Sequence, residues 1–146
     1  MIFVTQGDDP SGMLWRSWLF PRLEALMTKY PEGIRLMVVV LPDTPVPAPS
    51  ERARVQGDLR KHSSQIRKQV TVILGDSMRA SIVRAIMRTM LFLSGQSKNM
   101  AFTATIRGGI DALLESSGPN AIPRAQFIAA VEELLPALGV SRDLAA

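Results

Sequence analysis

The chain of 146 residues contains no cysteine and a single histidine, His62. The first absence excludes disulfides and thiolate chemistry and fits a reducing compartment. The second leaves one imidazole for any acid–base or metal role. Aromatic residues make up only 5%. None is interleaved with the basic residues, so a stacking platform for single-stranded nucleic acid is missing. No apolar run reaches the roughly 20 residues of a membrane span, because Arg or Pro interrupts the longest ones. Neither G-x-G-x-x-G nor a Walker A sequence is present. The opening M-I-F-V-T-Q-G-D-D-P has no basic leader and turns acidic at once. No signal peptide is therefore expected, and the expected location is cytoplasmic.

What remains is a folded chain. Hydrophobic residues make up 47% and charged residues 21%, a balance that excludes disorder and fits one domain over 1–146. The 17 Lys and Arg against 13 Asp and Glu give a net charge of +4. So modest an excess is a weak pointer to nucleic acid, and none is expected as a partner.

The stretch from Val70 to Gly95 organises the rest. Val70, Val72, Ile73 and Leu74, with Thr71 among them, suit a strand buried on both faces, as in a parallel sheet. Gly75 permits a sharp turn, and Asp76 or Ser77 can cap the helix that follows. From Met78 the period changes to 3.6. Ile82, Val83, Ile86, Met87, Met90, Leu91 and Leu93 form one broad apolar face, with Arg79, Arg84 and Arg88 away from its centre and Gly95 as the stop. Strand, turn and amphipathic helix make half of a βαβ unit.

Upstream, Ile2–Thr5 read as a short strand and Ser11 as the cap of a helix to about Tyr30, kinked or restarted at Pro21. Trp15 and Trp18 on that helix read as core anchors; exposed, they would mark a partner surface. Ile34–Leu41 is the strongest strand. The segment P-D-T-P-V-P-A-P-S, 42–50, is a stiff extended loop, readable either as a simple connection or as a proline-rich ligand. A polar helix is then expected from Ser50 to about Lys68, with Val55, Leu59 and Ile66 as its thin apolar stripe. Arg52, Arg60, Lys61, Arg67 and Lys68 make it the most basic element. It reads either as a solvated outer helix or as an interaction surface for acidic protein, phosphate or nucleic acid. After the central unit come a strand ending at Thr103, a helix over 106–115 capped by Thr105, and a final helix from about Pro123, limited by Pro136. Gly108 and Gly109 read as close packing or a weak helix start. The fold class expected is α/β, a mostly parallel four-stranded sheet with helices on its faces and an extra C-terminal helix.

Chemistry is harder to find. Leu74-Gly75-Asp76-Ser77 looks like the nucleophile block of the GDSL (SGNH) esterases, in which Ser77 would be the nucleophile. Those enzymes take their base from a D-x-x-H near the C-terminus, and no histidine follows His62. They also place the block in the first strand rather than the third. Capping explains Gly-Asp-Ser equally well, and no catalytic residue is assigned. His62 lies among Lys61, Ser63 and Ser64 without a partner at ligand spacing, so it reads as a surface residue; no metal or cofactor is expected. Backbone N–H groups at the helix start, with Ser77 and Arg79, could hold an anion or phosphoryl group, although Asp76 works against it.

K-Y-P-E-G-I-R-L-M-V-V-V-L-P, A-P-S-E-R-A-R, V-T-V-I-L-G-D-S-M-R-A-S-I-V-R-A-I and A-F-T-A-T-I-R-G-G-I-D-A-L-L together resemble a bacterial, myxobacterial-type group of STAS/SpoIIAA-like domains. The resemblance covers roughly Met1 to Glu115, a core of 1–116, with 117–146 as a helical extension. That group usually carries acidic residues and a tryptophan in its last helix, where Arg107, Gly108 and Ala112 stand here. The resemblance implies a non-enzymatic α/β domain that binds other proteins. A protein partner is expected, and a homodimer is one form of it. Better-known members are switched by phosphorylation at a strand-to-helix turn. Ser77 occupies a comparable turn without the D-S-S-G-type sequence, and Arg79 would be at hand to pair with a phosphate.

Overall fold

In the computed structural model, residues 2–5, 19–41, 44, 48–75, 78–94, 99–115 and 123–137 are described. The expectations for Ser11, Trp15, Trp18, Gly95 and most of the proline loop lie outside them, as do those for Asp76 and Ser77.

Three parallel strands carry the structure: β2 (Ile34–Val40), β3 (Ile66–Ile73) and β4 (Met100–Thr103). The backbone of β1 (Ile2–Thr5) runs parallel along the other side of β2, with Ile2 beside Met37, so the order is β1-β2-β3-β4. Side chains alternate across a sheet, so the near-continuous apolar runs of β2 and β3 must meet protein on both faces. Leu36, Val38, Val40 and Ile73 join one core cluster, while Met37, Val39, Val70, Val72 and Leu74 join another.

Each cluster is closed by helices. Leu23 and Met27 of α1 (Phe20–Lys29) and Ala80 and Val83 of α3 (Met78–Ser94) cover the first. Ile106, Ile110 and Leu113 of α4 (Ile106–Leu114) and Phe127 and Val131 of α5 (Arg124–Ala137) cover the second. The α/β class is thus observed, with an all-parallel sheet and four helices packed against it. A sheet wound in one direction by right-handed crossovers puts its connecting helices on one face, which is where α1 and α3 lie. Among the described residues no strand follows β4, and α4 folds back over the opposite face. The helix of the C-terminal extension is part of that core through Phe127 and Val131.

Helix α2 (Pro49–Lys61) leans on α3, and none of its described side chains is buried. Here the expected helix to Lys68 is corrected. The chain turns at 62–65, where the Gln65 and Ile66 amides donate to the His62 carbonyl, and β3 begins at Ile66. Ile66 is buried and bonded into the sheet beside Ile34. Its seven-residue spacing from Leu59 imitates a helical stripe, but the alternation I-R-K-Q-V-T-V-I and its β-branched residues favour a strand. Ile82 is also corrected. The buried stripe of α3 runs through Ala80 and Val83, with Met87 packed against it, and Ile82 faces outward. Pro21 falls in the first turn of α1, where a missing N–H costs nothing. Pro136 lies inside the end of α5 rather than beyond it.

Candidate functional site

The connections that leave β3 and β4 diverge: one enters α3 on the first face, the other enters α4 on the second. In open α/β sheets, a crevice at the carboxyl ends of two such strands is where ligands bind. Three described features shape this end of the sheet. Gly75 has φ +92°, a backbone state closed to most side chains, and turns the chain out of β3. The Leu74 amide, just before it, donates to the Val40 carbonyl at 3.0 Å. On the other strand, Thr105 caps α4 by accepting the Gly108 amide at 3.1 Å, while the Thr103 hydroxyl donates to the Thr105 carbonyl at 3.0 Å.

Arg84 is the member of this group that sequence patterning missed. Half-buried on α3, its guanidinium donates to the Gly75 carbonyl at 2.9 Å, to the Ile73 carbonyl at 3.4 Å and to the Ser81 hydroxyl at 3.1 Å. It holds the last turn of β3 against the helix that follows. The available signal was its position: an arginine on the flank of the buried stripe, early in a helix after a strand, can reach back to the strand's final carbonyls.

Asp76 and Ser77 fall between the described residues Gly75 and Met78, so the turn to which the sequence assigned an anion or phosphoryl site has its two flanks fixed. Arg79 lies in the first turn of α3, and its side chain is outside the described set. The basic residues do not form the single helical surface expected. Arg52, Arg60 and Lys61 belong to α2, whereas Arg67 and Lys68 belong to β3. Arg60 and Lys61 are exposed, and Lys61 lies 3.6 Å from Asp58. The Arg67 guanidinium donates to the Glu32 carbonyl, and Lys68 is half-buried.

His62 is not the free surface residue expected. Its side chain is 17% exposed, and Nε2 lies 3.6 Å from Glu24 Oε1 of α1. Its ring stacks on Phe20, with centroids 6.0 Å apart. An imidazole beside a carboxylate is the pairing a serine hydrolase uses, but this one sits before the first residue of β3. Gly75 lies beyond the last. Eight residues of strand, at about 3.3 Å each, set the two ends more than 20 Å apart. The pair therefore ties the α2–β3 turn to α1. Among the described residues, no group of three His, Cys, Asp or Glu side chains is placed to hold a metal ion, and no helix is long and apolar enough to cross a membrane.

The outer side of α3 is the other conspicuous surface. Met78 is 82% exposed and Ile82, one turn on, 49%. Ala85 and Thr89 continue the same line, opposite Ala80 and Val83. No family model, curated protein or solved structure matches this chain.

Proposed function

We propose that the chain is a non-enzymatic regulatory domain of STAS-like type that binds a partner protein through the outward face of α3. The carrying observation is the exposure of Met78 and Ile82, two large apolar side chains one turn apart, directly after Gly75-Asp76-Ser77. Isolated apolar residues on a surface are ordinary, but a helical pair at i and i+4 is the form in which a helix presents anchors to another protein. The rim is basic. Arg88 on α3 and Arg54, Arg60 and Lys61 on the neighbouring α2 are exposed. A partner that sets an apolar patch on Met78 and Ile82 and carries acidic side chains for these cations would suit the surface.

Ser77, one residue before Met78, is the regulated position in this reading. A phosphate there would sit at the start of α3, where negative charge is tolerated, with Arg79 to pair. It would also set negative charge beside the patch and oppose an acidic partner. The test compares proteins from the source cell retained by the immobilised wild type, by Met78→Glu/Ile82→Glu and by Ser77→Asp, after circular dichroism has shown each to be folded. One stoichiometric partner should be held by the wild type, lost by the double variant and weakened by Ser77→Asp. Fully burying each anchor is worth about 1.5–3 kcal/mol, so the double variant should bind at least tenfold more weakly. The same set of proteins retained by wild type and double variant would overturn the proposal.

A further inference from the structure

We infer that Met78 is a reversible oxidation site. A peroxide converts its thioether to the sulfoxide ahead of Met27, Met37, Met87 and Met100, and the folded chain presents that sulfoxide for reduction. The chemistry follows from what the chain lacks. Thiolates are the usual first target of peroxides, and there is no cysteine here. Methionine sulfur is the soft nucleophile that remains, and the chain has eight methionines. The fold separates them by access. Met27 and Met37 are buried, and Met87 and Met100 are half-buried. Met78 is 82% exposed, so its sulfur meets a dissolved oxidant most freely of these.

In the oxidation, the sulfur lone pair attacks one oxygen of hydrogen peroxide; an S–O bond forms and the O–O bond breaks. The proton of the attacked oxygen passes to the departing hydroxide, which leaves as water. Sulfur loses two electrons and the peroxide gains them. Methionine sulfoxide reductases, one for each sulfoxide epimer, return the thioether and water while a dithiol is oxidised to a disulfide. Position decides that the fold survives the cycle. On the same helix, Met87 packs against the core cluster, and a sulfoxide there would set a polar group among buried apolar side chains. At Met78 the S–O dipole stands in water, and the buried stripe of Ala80 and Val83 is untouched. The sulfur also belongs to a binding anchor, a consequence that rests on the function proposed above. A partner seated on Met78 and Ile82 would have to desolvate the sulfoxide, so oxidation weakens binding and reduction restores it.

The site can be tested without a partner and without a variant. Trypsin leaves Met27, Met37, Met78, Met87 and Met100 each in a separate peptide, so mass spectrometry follows each sulfur as hydrogen peroxide is titrated onto the folded full chain. Met78 should oxidise faster than Met87 and Met100, and at least about tenfold faster than Met27 and Met37. The two reductases with a dithiol should restore it while circular dichroism stays unchanged. Met78→Leu, an apolar anchor without sulfur, supplies the binding arm. Treating the immobilised chain with peroxide, then washing, should lower the partner retained by the wild type about tenfold and leave that held by Met78→Leu unchanged. Oxidation of Met78 no faster than that of Met87 and Met100, or a sulfoxide that the reductases cannot remove from the folded chain, would overturn the inference. Selective, reversible oxidation with unchanged retention would uphold the site and count against Met78 as an anchor.

Discussion

Single residues set the tolerances of this fold. Gly109 is the tightest: a Cβ there would stand 2.5 Å from Val72 Cγ2 and 3.2 Å from Met37 Cε. Both neighbours are buried in β3 and β2, so α4 can lie this close to the sheet only over a bare backbone. Gly109→Ala should lower stability by about 1–3 kcal/mol in urea denaturation, and Val72→Ala should recover part of that loss in the double variant. An unchanged midpoint would mean that α4 can lift away freely. Arg84→Ala removes the donor that satisfies the Gly75 carbonyl and should cost about 1–2 kcal/mol, the scale of a hydrogen bond from a charged group. Arg84→Lys should restore little, because an ammonium lacks the fork that reaches the Gly75 and Ser81 oxygens together. Gly109 was legible as close packing from the sequence. Arg84 was not, since the apolar pattern records what a helix buries and says nothing of where a flanking guanidinium reaches.

At the scale of elements, strand–helix alternation and caps were the readable signals. Thr105 fills the capping role that its place before Ile106 suggests, and Thr105→Ala should cost about 1 kcal/mol, read as a lower thermal midpoint. The limits of patterning show at α2 and α3. Leu59 and Ile66 are seven residues apart, which satisfies a helix, yet they lie on opposite sides of a turn. Only the partner strand decides between the two periods, and a single sequence does not display it. On α3 the apolar residues extend round more than half of the helix, so which flank is buried depends on small Ala80 rather than on bulky Ile82. That ambiguity concealed the exposed pair now read as the binding surface. The basic residues change meaning for the same reason: split between α2 and the start of β3, they no longer form one stripe. A generic DNA duplex titrated at low salt should therefore show no saturable binding; binding that weakens steeply as salt rises would restore the nucleic-acid reading.

For the whole molecule, the direction of winding matters most. The sheet is wound so that α1 and α3 share one face, and the step from β4 to α4 crosses to the other. That divergence marks the carboxyl ends of β3 and β4 as the place where the fold presents its loops. It also keeps His62 and Glu24, the one imidazole–carboxylate pair, at the opposite end of β3. If ester hydrolysis is measured at all, it should be unaffected by Ser77→Ala. A loss of activity on that substitution, with the fold intact, would reinstate the serine as a nucleophile. The most direct measurement places a photoreactive benzophenone amino acid at Met78 and, as a control, at exposed Ala125 on α5, and irradiates living source cells. One covalent adduct to another protein is expected from position 78 and none from position 125. No adduct at 78, or the same adducts from both positions, would contradict it.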